Sequence, residues 1–416
     1  MTTPPDRSVC LLTPGHLAST PRLVKEADAL ADANYRVHVI AGRHFAPVDA
    51  LDADILSAAK WTHTLIDYRG GPGVVARKLL RRIARRLVNT APLATATVAA
   101  RAHQAEISRF TAAAARTGAD FYFGHCLAAL PAVARAAKSR EANYGFDAED
   151  FHDAETAEAA GDRTERTIRR TLHARYLPGC AYFTAASPLI ARRYADSYGT
   201  ELPETVLNVF PLSYAPSVPS DPGPISEQRP ARFYWFSQTI GSGRGLEALV
   251  TILARTVIPV ELHLRGHVDP AYKARLQSHA TAAGLRRPVV FVPSGAPAEM
   301  VRLAAAFDLG LSVEETQPLN RDLCLTNKIF VYLLAGVPQF LSRTRAQTAL
   351  AAELGDAALL GDLDRPEESA HILDAFFASP GRAESARRTA WRLARERFCW
   401  DLEKEKFLAG IRQAVN

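Results

Sequence analysis

Apolar and polar positions along the chain follow two alternating rhythms. The runs SVCLL at 8–12 and RVHVI at 36–40 are short and continuous, as buried strands are. Between them, PRLVKEADALADA places Leu23, Ala27 and Leu30 on one helical face with charges opposite. Strand, helix and strand at this spacing predict a βαβ unit, hence a parallel sheet covered on both faces. FYFGH at 121–125, NYGF at 143–146 and AYFTA at 181–185 continue the series, with helical stretches such as LAALPAVARAAKS between them.

The rhythm breaks at 211–230, where six prolines and almost no apolar run predict a linker. It then restarts with FYWFS (233–237), VELHL (260–264), PVVFV (288–292) and DLGLSV (308–313), each followed by a helical pattern. The expected organisation is an N-terminal α/β domain over 1–210, the linker 211–230 and a second α/β domain over 231–395. A terminal amphipathic helix over 396–416 carries Leu402, Phe407, Leu408 and Ile411. The halves share a rhythm but no short repeat, which excludes a solenoid.

Composition narrows the class. A chain of 416 residues is too long for one ordinary core, and 48% apolar with 23% charged residues is a globular balance. No run of about 18 apolar residues predicts a membrane span. The opening MTTPPDRSVCLL lacks the apolar length of a secretory signal, so a cytoplasmic protein is expected. Cys10, Cys126, Cys180, Cys324 and Cys399 are odd in number and scattered, with no C-x-x-C pair; reduced, mostly buried thiols are expected. A net charge of +6 admits anionic ligands without choosing among them.

Several segments, in order, resemble the large, mainly retaining family of bacterial GT-B glycosyltransferases that builds surface polysaccharides and glycolipids, glycosyltransferase family 4. TPGHLASTPRLVKEADALADANYRVHVI is similar to its opening strand, glycine loop and helix. GHCLAALPAVARAA with NYGFDAEDFHDAE resembles its strand-end histidine followed by Asp-Ala-His-Glu. AASPLIARRYADSYG with VLNVFPL resembles the segment at the domain boundary. SQTIGSGRGLEALV sits where the family has its donor loop, and LTNKIFVYLLAGVPQFLS where it has Asn-Lys, Tyr-Leu and Gly-x-Pro. FCWDLEKEKFL resembles its closing helix, which returns to the N-terminal domain. Three positions depart from the pattern. Gln238 stands six residues before the loop cation, where the family has arginine. Glu149 replaces the motif histidine, and Val331 replaces the glutamate that holds the donor ribose.

The resemblance implies two doubly wound, Rossmann-like domains facing a cleft, and transfer of a sugar with retained configuration from a nucleotide-sugar donor. The acceptor would be a glycan, a lipid-linked sugar or another hydroxyl, and no cofactor is implied. Breaking the glycosidic bond requires the diphosphate to be neutralised, by cations and backbone N–H groups where no metal serves. Gly241, Gly243 and Arg244 of GSGRG suit this task, with Lys328 a second cation, Asn327 beside it, and Glu314 or Glu315 reaching the sugar or ribose. The plain alternative for GSGRG is a strand-to-helix turn.

On the acceptor side Asp147, Glu149, Asp150, His152 and Asp153 crowd a strand end, where ligands gather in open α/β sheets. Glu149, Asp150 or His152 would take or orient the acceptor proton; the alternative is an acidic helix N-terminus. Gly15, His16, His125 and Asp147 would line the same side, the histidines having a structural role as their alternative. No His/Cys cluster has ligand spacing, so no metal site is expected.

Segment 74–88, VVARKLLRRIARRLV, carries six cations and no acid, with Leu79, Leu80, Ile83 and Leu87 on one face. Such a helix suits an anionic membrane surface, so peripheral attachment at the inner face of the cytoplasmic membrane is one expectation. The other is a helix packed by its apolar face with its arginines in water. Nucleic acid is not expected, since aromatics do not interleave with the cations. Two rivals stand: a degenerate GT-B protein that binds a nucleotide sugar or glycan without transfer, and one that isomerises or hydrolyses the nucleotide sugar.

Overall fold

The computed structural model describes residues 7–90, 92–155, 163–219 and 223–415. The segment before Arg7 and residues 220–222 of the expected linker lie outside the described residues. The chain divides into two compact units, Met1–Val206 with Lys404–Asn416, and Leu207–Glu403.

The first unit is built on seven strands: β1 (Ser8–Thr13), β2 (Arg36–Arg43), β3 (Thr62–Asp67), β4 (Phe121–His125), β5 (Asn143–Ala148), β6 (Tyr182–Ala185) and β7 (Glu204–Thr205). Their order is β3-β2-β1-β4-β5-β6-β7, and neighbours run parallel. Central β1 aligns Val9 with Val37 on one side and Phe121 on the other. Burial on both faces explains why β1 and β4 read as unbroken apolar runs.

The helix Pro21–Asp32 opens with proline at its first position, where the missing N–H is no loss. The last helix, Trp400–Val415, belongs to the first unit from Lys404 onward. Phe407 lies 5.7 Å from the Phe123 ring and 6.3 Å from Tyr182, and Asn143 Nδ2 donates to the Ala414 carbonyl at 3.0 Å. Leu402, expected on the apolar face, is instead exposed.

The second unit carries β8 (Ala231–Ile240), β9 (Val260–Val268), β10 (Val290–Val292), β11 (Leu309–Ser312), β12 (Gln339–Ser342) and β13 (Ala358–Gly361). The order β10-β9-β8-β11-β12-β13 repeats the doubly wound topology, again parallel. Trp235, Leu262, Leu311 and Phe340 from the sheet pack with Leu249, Leu253, Leu373 and Phe376 from the helices. The described part of the expected linker is tied into this unit: Leu212 N–H donates to Asp401 Oδ2 at 2.8 Å, and Arg395 Nη2 to the Pro216 carbonyl at 2.9 Å. Its prolines therefore mark an anchored segment; the division between units falls earlier, at Val206 and Leu207.

Candidate functional site

In each sheet the strand order reverses beside the first strand, between β1 and β4 and between β8 and β11. Helices leaving such neighbours go to opposite faces and open a crevice at the carboxyl edge. The first crevice is edged by Pro14, Gly15 and His16 after β1 and by Cys126 after His125. The second is edged by GSGRG after β8 and by Val313, Glu314 and Glu315 after β11.

His16 is a clasp. The His44 and Phe45 N–H groups donate to its Nε2 at 3.0 and 2.9 Å, which puts its proton on Nδ1, facing Asp52 Oδ2 at 2.6 Å. Asp52 Oδ1 accepts from Ala18 N–H at 2.9 Å. Both ring nitrogens thus hold the loops after β1 and β2, and the ring is buried. Gly15 N–H is turned back to Thr13 Oγ1 at 3.2 Å, and its carbonyl accepts from Gly42 N–H at 3.0 Å.

Beneath this edge lies a buried ion network. Arg22 places Nε and Nη2 on the two oxygens of Asp147 at 2.8 and 2.7 Å, and Nη1 on the Val206 carbonyl at 2.7 Å. Glu26 stands 3.4 Å from Arg22 Nε and 2.9 Å from His125 Nε2. His125 Nδ1 lies 3.4 Å from Asp147 and 3.7 Å from Glu149 Oε1. Arg22, Glu26, His125 and Asp147 are at most 1% exposed, whereas the Glu149 side chain keeps 24% of its surface.

Burial pulls the His125 imidazole down, but Glu26 and the strand-end carboxylates overcome it and hold the pKa well above 6.5. Burial pushes Asp147 up, and Arg22 and His125 more than reverse it, leaving the carboxyl well below its usual range. Glu26 remains raised, burial outweighing its cationic neighbours. His125 and Asp147, expected to face an acceptor, are enclosed, so they position the strand end while Glu149 is the member that reaches the surface.

His152 keeps different company. It is buried; Tyr194 Oη accepts from its backbone N–H at 3.1 Å and donates to the Asp150 carbonyl at 3.1 Å. Its ring faces Glu155 at 2.5 Å and stacks 6.1 Å from His173, which faces Asp153 at 3.0 Å. Burial lowers the His152 pKa and Glu155 more than restores it. The acidic run therefore splits: Asp147 and Glu149 join the ion network under β4, while Asp153 and His152 serve helix contacts. Asp150 is half-buried beside Glu149.

In the second unit Gly243 and Gly245 take φ of +67° and +69°, conformations open to glycine at little cost. A Cβ on Gly245 would also come within 2.9 Å of Leu363 Cδ1. Gly245 N–H points to Glu315 Oε1 at 3.4 Å and opens the helix Leu246–Leu253. Gly241 has open space where a side chain would stand. Arg244 is half-buried and forms no hydrogen bond or ion pair among the described residues. Asn327 is exposed at the first turn of the helix Asn327–Leu334.

Lys328 is different: it is 5% exposed, sits 3.0 Å from Glu314 Oε1, and lies 5.4 Å over the Trp235 ring. Its charge already has a partner, and Glu314 is buried with it. Glu315, not Glu314, faces solvent at the crevice. Gln238 is exposed at the bulged end of β8, and Val331 is fully buried.

Sequence reasoning missed Arg22 and Glu26. Their spacing, an Arg/Glu pair four apart on one helix, was visible, but such a pair reads equally as a surface one. Two groups have metal-like proximity, His16 with Asp49 and Asp52, and Glu26 with His125 and Asp147. In the first, Arg43 and Arg69 face Asp49 and the His44 and Phe45 N–H groups donate to His16; in the second, Arg22 holds Asp147 while the His125 nitrogens face the carboxylates of Glu26, Asp147 and Glu149.

No protein-family model and no curated protein matches the sequence. Solved structures do. Anabaena HepE in complex with UDP and glucose is similar over 97% of this chain and 99% of its own, at 17% identity and TM-score 0.71. Sucrose-phosphate synthase from Thermosynechococcus elongatus is similar over 98% and 99%, at 13% identity and TM-score 0.68. TarM is similar over 99% of both chains, at 10% identity and TM-score 0.68. At these identities the likeness is one of fold: the chain has the α/β GT-B architecture, with its two doubly wound sheets, that its sequence led us to expect.

Proposed function

We propose that this chain is a glycosyltransferase that moves a sugar from a nucleotide-sugar donor to a hydroxyl acceptor. The observation that carries this reading is Arg244, a half-buried cation without a partner among the described residues, on a glycine loop at the switch point of the second sheet. Glycines allow close approach of phosphate, the helix Leu246–Leu253 aims N–H groups at it, and a guanidinium suits its oxygens. The neighbour HepE was solved with UDP, with UDP and glucose, and with UDP-glucose. The donor nucleotide is proposed at Gly241, Gly243, Arg244 and Asn327, with Glu315 toward the sugar or ribose.

The acceptor is proposed on the first unit, with Glu149 or Asp150 taking or orienting the hydroxyl proton. Cations and N–H groups would stabilise the leaving diphosphate without a metal, and the configuration at the sugar would be retained. The test is thermal stabilisation by a panel of nucleoside diphosphates and their sugars. A ligand at 100 times its dissociation constant adds about 2.7 kcal/mol. One clear responder, weakened by Arg244→Ala, is expected; no response across the panel would sink the reading. A binder without transfer is the second reading, favoured by Val331, whose burial leaves no carboxylate at that position. It predicts a responder with no turnover on any acceptor.

No helix among the described residues is long and apolar enough to cross a membrane. Surface attachment is another matter. In the helix Val74–Leu87, Arg77 pairs with Glu106 and Arg85 with Glu165, both half-buried, while Arg81, exposed, has its Nε donating to the Ala102 carbonyl. Val75, Leu79, Leu80, Ile83 and Leu87 are exposed, Val75 to 81%. Lys78, Arg82 and Arg86 stand exposed on the same outer side, without partners among the described residues. An outward apolar face with cations beside it supports docking on an anionic leaflet and a lipid-linked acceptor. We place the protein in the cytoplasm, peripheral on the inner face of the cytoplasmic membrane.

A further inference from the structure

We infer that Arg321 is a second diphosphate-binding cation of the donor site, an assignment that rests on the donor site proposed above. Arg321 lies on the short helix Leu319–Leu323, beyond the carboxyl end of β11. Its guanidinium Nη1 is buried and has no hydrogen-bond partner, and Arg321 forms no ion pair among the described residues. That nitrogen stands 3.9 Å from the point where a Cβ on Gly243 would be, and Glu315 Oε2 stands 4.0 Å from the same point. The orphan nitrogen is thus against the middle of the GSGRG loop.

Apart from Arg244, two nearby cations are spoken for. Lys328 faces Glu314, and Arg345 pairs with Asp322. A buried guanidinium nitrogen left without an acceptor is costly, so an acceptor supplied from outside the chain is the economical reading. Phosphate fits, because a planar fork matches two of its oxygens. A diphosphate carries more than one negative charge, and Arg244 alone answers one. Arg321 supplies the other from the short helix Leu319–Leu323.

The test is calorimetric titration of the full chain with UDP, GDP and ADP, each compared with its monophosphate. For the best-binding diphosphate, Arg321→Gln is expected to weaken affinity on the order of 10-fold or more. The monophosphate should lose clearly less, and Arg321→Lys should fall between the variant and the unaltered chain. The ligand-free melting temperature should stay level or rise, since the substitution removes an unpaired buried nitrogen. Unchanged diphosphate affinity, or equal losses for diphosphate and monophosphate, overturns the assignment. If Arg244→Gln still weakens the diphosphate selectively in that case, the donor-site reading survives alone. If none of the three diphosphates binds the unaltered chain, both fall.

Discussion

Arg22 and Asp147, 125 residues apart in the chain, meet as a forked pair with both bonds under 3 Å and neither side chain more than 1% exposed. The pair joins the first helix to the end of β5, the strand that delivers Glu149. Removing one partner of such a pair leaves a buried charge, at a cost of about 3–5 kcal/mol. Arg22→Met should therefore lower the denaturant midpoint sharply. Arg22→Met combined with Asp147→Asn should lose less than the two singles summed; strict additivity would mean the pair is not coupled.

The same network sets a pH dependence. His125 has its pKa raised above 6.5, so its contribution to stability is complete below pH 6.5 and is lost as pH rises through the raised value. Asp147, lowered from 3.8, contributes above that value and fails as acid protonates it. Melting temperature should fall as pH climbs from 6.5, and His125→Gln should flatten that alkaline slope and move the acid limb to higher pH, since His125 also helps to hold Asp147 low. An unchanged slope would remove His125 as its cause.

Lys328 should divide its effects unevenly. Paired with Glu314 in the interior, it predicts that Lys328→Met costs about 3–5 kcal/mol and that adding Glu314→Gln restores part of it. Arg244→Ala, at a half-buried site without a partner among the described residues, should change stability by less than about 0.5 kcal/mol while weakening the nucleotide. Nucleotide affinity lost in Lys328→Met with no loss of stability would reverse this assignment.

The basic helix offers a clean separation of surface from core. Leu79→Ser with Ile83→Ser should leave the melting temperature within a few degrees, because both side chains are already exposed. The same variant, and one carrying Lys78→Glu, Arg82→Glu and Arg86→Glu, should cease to sediment with phosphatidylserine-containing vesicles. Neutral vesicles should bind even the unaltered chain weakly. Equal sedimentation with both vesicle types would argue against an electrostatic surface contact.

Gly410 meets the Tyr182 ring so closely that a Cβ would lie 2.1 Å from Cε2. Gly410→Ala should cost at least about 1–3 kcal/mol by forcing the helix off the sheet, read as a lower melting temperature. A neutral result would mean that the helix end can slide freely.

SVCLL and FYFGH were legible because they are buried on both faces, and VELHL because its buried and half-buried positions alternate along β9. β3, THTLID, was not, since an edge strand open to solvent keeps polar positions. β12 and β13, four residues each, are too short to show a period. The glycine loop was legible from Gly243 and Gly245, whose positive φ reflects a local requirement. Arg22 and Arg321 were obscure for a common reason. Burial of a charge depends on partners distant in sequence, so Arg22 read as a surface charge on an amphipathic helix. The outward turn of Leu79 and Ile83 was equally hidden, because periodicity defines a face without saying which way it points.

The first unit is not one stretch of chain: residues up to Val206 are completed by those from Lys404. During synthesis, the aromatic surface of Phe123 and Tyr182 therefore emerges long before Phe407 and Gly410 exist to cover it. The whole second unit is made in the interval, at a time when exposed apolar surface invites aggregation. A fragment ended near Val206 would keep that surface bare.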